Sequence, residues 1–156
     1  MKAVLCVLAL GAMLAHAQGQ TQPAARDLGA ASRDVLAALQ SVKNHTSSLL
    51  KELGKQQPDR AAVRAQAAEG VAQARQIRRL IEELDAFYSR MPEAQQSALR
   101  RSWSVATILN GCMESVVDAM AGSSPDALGE ARTGVECAER RASQMEEVLA
   151  PFRQQR

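Results

Sequence analysis

Residues 95–120 read QQSALRRSWSVATILNGCMESVVDAM, and within them positions 95, 99, 102, 106, 109, 113, 116 and 120 are Gln, Leu, Ser, Ala, Leu, Met, Val and Met. Steps of four and three alternate along this series. That is the spacing of one face of an α-helix, and a strand would instead alternate every second residue. The same register recurs in three other segments. Positions 28, 32, 35, 39, 42, 46, 49 and 53 read Leu, Ser, Val, Leu, Val, Thr, Leu, Leu. Positions 63, 67, 70, 74, 77, 81, 84 and 88 read Val, Ala, Gly, Ala, Ile, Ile, Leu, Tyr, and positions 128, 131, 135, 138, 142, 145, 149 and 152 read Leu, Ala, Val, Ala, Ala, Met, Leu, Phe. Leu36, Leu50, Leu80, Val105, Ile108 and Val117 widen the stripe beyond a two-stranded coiled-coil seam.

The boundaries between segments carry prolines at 23, 58, 92 and 125, and three of these are followed by an acid (Asp59, Glu93, Asp126). Proline suits the first turn of a helix, where its missing N–H has no partner, and an acid there complements the helix dipole. Each proline therefore reads as a helix start, with Ser124 as an N-cap before Pro125. Pro151 falls near the end of the last helix. A period near 34 residues also suits a two-helix solenoid repeat, but no turn signal divides any segment in half. Four similar helices with short connections predict an all-α, antiparallel up-down-up-down four-helix bundle.

Cys112 and Cys137 flank the turn near Ser123-Ser124 at similar distances, so an antiparallel hairpin sets them at one height and permits a disulfide between the third and fourth helices. Such a link is worth roughly 3 kcal/mol by loop entropy. Small residues (Thr46, Ala67, Gly70, Ala74, Ala131, Ala138, Ala142) gather at mid-height. They predict a tight waist, with a slot as the alternative. Leu53, Met120 and Leu128 mark the upper end, and Leu28, Tyr88 and Phe152 the lower.

The N-terminus reads as a secretory signal peptide: Lys2, an uncharged apolar run from Ala3 to Leu14, then Ala15-His16-Ala17 as the cleavage site. This assigns residues 1–17 to a cleaved leader, 18–24 to a flexible N-terminus and 25–154 to one bundle domain. The expected location is periplasmic or secreted, where an even cysteine count favours a disulfide. Loss of Lys2 with the leader takes the formal net charge from +2 to +1. A chain so close to neutral gives no electrostatic reason to bind nucleic acid or a membrane surface.

Catalytic signatures are missing from the sequence: there is no G-x-S-x-G, no phosphate-binding glycine loop and no H-E-x-x-H. The expected class is a non-enzymatic, cofactor-free protein-binding factor, such as an inhibitor, immunity or adaptor protein, with another envelope or secreted protein as partner. The candidate interface is the lower end around Phe87, Arg100, Arg101 and Trp103. A homodimer through Phe87, Met91 and Trp103 stays open. The alternative is a haem or metal carrier. His45, the one histidine after the leader, falls level with Met113, Cys112 and Cys137, and imidazole and thioether are plausible soft-metal ligands. The pairs Arg78-Arg79, Arg100-Arg101 and Arg140-Arg141 read either as a basic belt or as solvated faces answered by Glu82, Glu83 and Glu136. The sequon Asn44-His45-Thr46 bears on the chain only in a eukaryotic source.

Overall fold

A computed structural model describes residues 27–153. The leader, the segment 18–24 and Pro23 lie outside the described residues. Four helices follow one another: α1 (Leu28–Leu53), α2 (Arg60–Asp85), α3 (Glu93–Ala121) and α4 (Ala127–Val148), with short 3₁₀ turns at Tyr88–Arg90 and Ala150–Phe152. Neighbours pack in sequence order and α1 closes onto α4, giving the up-down-up-down bundle rather than a solenoid. Among the described residues there is no strand, and no helix is long and apolar enough to cross a membrane.

The heptad register is the core. Of all the seam positions, only Leu28, Tyr88 and Leu128 are not buried. The polar residues on the seam bond locally. The Ser32 hydroxyl donates to the Leu28 carbonyl at 2.7 Å, that of Ser102 to Leu99 at 2.7 Å, and that of Thr46 to Lys43 at 3.0 Å. Each is a side chain returning to its own helix one turn back, so a buried hydroxyl meets no unsatisfied cost. Gln95 uses its amide to reach the Pro151 carbonyl at 3.2 Å, tying the start of α3 to the turn after α4. The mid-height small residues are fully buried, Ala67, Ala74, Ala131, Ala138, Ala142 and Thr46 each at 0 % exposure.

Two local expectations are corrected. The helices begin one or two residues after their prolines. Asp59, not Pro58, caps α2: its carboxylate accepts the N–H groups of Ala61 and Ala62 at 2.9 and 3.2 Å. Ser124 does not cap α4, whose N-cap is Asp126. The Ser124 hydroxyl instead accepts from the Asp126 N–H (3.3 Å) and donates to Glu130 (2.9 Å), closing the turn that Pro125 makes before the helix. Replacing Asp59 by alanine strands two N–H groups at the α2 terminus and is expected to lower the unfolding free energy by about 1 kcal/mol. A urea titration checks it, and an unchanged midpoint would show that the cap contributes nothing. The second correction is Ile108. It does not widen the core stripe but lies 40 % exposed, because the residues around it on the α3–α4 flank (Gly111, Ser115, Thr133, Gly134) are too small to cover it.

The Sγ atoms of Cys112 and Cys137 are 2.06 Å apart with Cα atoms at 5.8 Å, a disulfide joining α3 to α4. Beside it Gly134 allows a close approach of α4 to α3. A Cβ there would stand 2.7 Å from both Val116 Cγ2 and Ser115 Oγ, and 3.1 Å from the Cys112 carbonyl. Ion pairs close two other flanks. Arg75 meets Glu114 at 2.8 Å between α2 and α3. Glu146 of α4 binds Lys43 of α1, and Arg153 at 2.6 Å.

The Lys43 and Arg153 hydrogen bonds hold the Glu146 carboxyl below its ordinary value of 4.5. Protonation is thus harder in the folded chain than in the unfolded one. The contribution is fully present above that ordinary value and is lost as pH falls through the lower folded value. Glu146→Gln should therefore melt slightly below the native protein at neutral pH, with the gap closing in acid. The gap is small because the pair is partly solvated. A gap that persists unchanged at the acid end of a thermal-melt series would contradict this linkage.

Candidate functional site

Two side-chain clusters answer to the sequence candidates. The first forms at mid-height where α1, α2 and α3 face one another. Gly70 of α2 lacks a Cβ, and its space is taken by the Met113 methyl from α3 and the His45 ring from α1, whose Cδ2 would stand 3.1 Å from a Cβ placed there. His45 and Met113 are therefore brought to one height, on two sides of the same glycine. The glycine also lets the imidazole reach the helix backbone, and Nε2 donates to the Gln66 carbonyl. That hydrogen bond commits the nitrogen facing α2 as a donor. Both cysteines at this level are joined to each other, which removes two thiolates from any ligand set. Among the described residues no group of three or more His, Cys, Asp or Glu side chains gathers as a metal site. The chemistry of this cluster is packing: a fully buried thioether, a half-buried imidazole and a helix carbonyl.

The second cluster lies at the lower end of the α2–α3 flank. Phe87, Tyr88 and Trp103 are half-buried and pack against the core. Each carries a guanidinium on its outer side. Arg78 stands 6.0 Å from the Trp103 ring centre, Arg90 5.0 Å from Phe87, and Arg100 5.8 Å from Tyr88, to whose hydroxyl it also donates. Aromatic faces attract cations through their quadrupole, so the rings order these arginines without cancelling their charge. Arg78 also meets a carboxylate, Glu82, at a loose 3.8 Å. The sequence reading of Arg78 as answered by an acid four residues on is thus only weakly realised. Tyr88 and Arg90 join the cluster beyond the residues that the sequence singles out as an interface. Three rings and five arginines within residues 78–103 are the available signal.

The proposed surface divides. Phe87, Arg100 and Trp103 belong to this cluster, whereas Arg101, one residue further, turns about 100° around α3 onto the stripe of Ile108 and Cys112 that faces α4. Met91 is 5 % exposed and faces the core, so it is withdrawn from any self-interface. Comparison of the chain with protein-family models, with curated proteins and with solved structures finds no match.

Proposed function

We propose that this chain is an exported, non-enzymatic binding factor that engages an acidic surface of another envelope or secreted protein through the corner formed by Arg78, Phe87, Tyr88, Arg90, Arg100 and Trp103. The observation that carries the reading is the ordering of three guanidinium groups against aromatic rings, one of which, Arg78, also meets Glu82 at 3.8 Å. A ring does not cancel a guanidinium's charge, and the side chains lose less freedom on binding because the rings already hold them. Arginine and aromatic residues clustered on a rigid support are the residue types that dominate protein interfaces. The export assignment rests on the leader-like residues 1–17.

The test is affinity capture from the source organism's own envelope fraction, followed by titration of the recovered protein against native and Arg100→Glu chains. A partner held by the native protein and bound at least about tenfold more weakly by Arg100→Glu supports the reading. Equal affinity of the two removes the corner from consideration.

A further inference from the structure

The flank between α3 and α4 carries a different surface. Ile108, Gly111, Ser115, Thr133, Gly134 and Cys137 line an apolar groove of about 610 Å³ beside the disulfide. Ile108 stands out of it as the large hydrophobic side chain left exposed among the described residues. Gly111 faces open space: a Cβ there would touch nothing within 4 Å. A glycine inside an exposed helix costs about 1 kcal/mol against alanine, and nothing within the chain occupies the room it leaves. The flank thus presents a knob and a hole side by side.

We propose that a second copy of this chain occupies the groove, as an antiparallel two-fold dimer through the α3–α4 flanks with the axis passing near Gly111. The heights along the helices are self-complementary. Measured from the disulfide at 1.5 Å per residue, Ile108 lies roughly 6 Å below it, and Gly134, Ser115 and Thr133 roughly 4–6 Å above. A two-fold axis at that level sets each Ile108 opposite the other copy's small-residue hole, and Gly111 lets the two α3 backbones approach. An interface of this kind uses the same patch on both copies.

The charges follow the same symmetry. On this flank α3 and α4 bear Arg101 and Arg141 below the disulfide level, and Glu130 and Asp126 above it. Arg141 lies roughly 6 Å below and Glu130 roughly 10 Å above, within reach of each other across the axis, while Arg101 and Asp126 each lie roughly 16 Å from the level. An antiparallel pair therefore sets Arg141 of one copy against Glu130 of the other and brings Arg101 to the height of the other copy's Asp126. A parallel pair would set like against like. Within one chain Arg141 bonds to Gln144 at 2.7 Å and Glu130 accepts from Ser124 at 2.9 Å, so neither charge is neutralised by an opposite one. This surface is separate from the arginine–aromatic corner, and the inference stands independently of the function proposed above.

Sedimentation equilibrium of the mature, oxidised protein tests it. The native protein should weigh as a dimer at micromolar concentration, and Ile108→Lys should weigh as a monomer with unchanged helical circular dichroism at low temperature and a thermal melt that, unlike the native one, does not shift with concentration. Arg141→Glu and Glu130→Arg should each weaken dimerisation at least about tenfold, and the two combined in one chain should restore it, because a two-fold axis pairs each with the other. A native monomer at high micromolar concentration overturns the proposal. So does a dimer indifferent to Ile108→Lys, or a combined charge swap no better than its single members. If Ile108→Lys fails to fold, the charge swap alone decides.

Discussion

Truncation of Met113 to alanine is expected to lower the unfolding free energy by about 2–5 kcal/mol, among the largest effects of any single substitution in this chain. Met113 is fully buried, and its methyl occupies the space that Gly70 leaves on α2. Deleting it removes apolar area from the core and opens a cavity at the level where the flanking layers are already built of alanines too short to fill it. The companion substitution makes the argument sharper. Gly70→Ala gains about 1 kcal/mol of helix propensity but drives a Cβ into the Met113 methyl, and overpacking typically costs about 1–3 kcal/mol. Alone it should be neutral to destabilising. In the Met113→Ala background the collision disappears, only the His45 ring need yield slightly, and Gly70→Ala should become stabilising. Urea titrations of the four proteins measure the coupling directly. Strict additivity would show that Met113 does not seat against Gly70.

Removal of the disulfide as Cys112→Ala/Cys137→Ala should cost about 3 kcal/mol, the loop-closure entropy of a link across a sequence separation of 25. In a bundle of this size that loss lowers the melting temperature by on the order of 10 °C. Alanine is the proper replacement because Cys112 is buried and a serine hydroxyl there would add its own desolvation cost. The helices should remain, since the α3–α4 contact is also made by Val116, Ala131, Val135 and Ala138, all buried. Far-ultraviolet circular dichroism at low temperature should therefore be unchanged while the thermal midpoint falls. Identical midpoints for oxidised, reduced and substituted proteins would show that the link is not formed in solution.

The electrostatic contributions are smaller. Glu146 and Glu114 are both held below the ordinary carboxylate range, the first chiefly by Lys43 and the second chiefly by Arg75. Both sit at solvated helix edges, where screening keeps such pairs modest. They fix which flanks of the bundle are closed, α1 to α4 and α2 to α3, and leave the α3–α4 flank to the disulfide and close glycine packing. That division explains why the apolar groove opens on the α3–α4 side. A flank held by small residues and a covalent link has no long ion-pairing side chains to cover Ile108.

The periodicity of three and four determined the four helices, their antiparallel order and nearly every buried position, because a side chain's place on a helix follows from its number alone. The equal distance of Cys112 and Cys137 from their turn determined the disulfide for the same reason. Even the meeting of His45 with Met113 follows from counting residues down each helix. Counting along one helix does not show what the neighbouring helix supplies at its edge. Ile108 shares the apolar character of Val105 and Val117, yet it is exposed because Gly111 and Gly134, on two different helices, leave nothing to cover it. Arg100 and Arg101 diverge by the helix's own step of about 100°, but only the packed bundle shows that Arg100 meets the Tyr88 ring. Asp59 rather than Pro58 caps α2 because the cap is set by which oxygen can reach two free N–H groups, a matter of backbone geometry at the turn. The sequence determined what each helix turns inward; only the packed bundle decided what stands at the edges between helices, where two chains of residues with independent numbering meet.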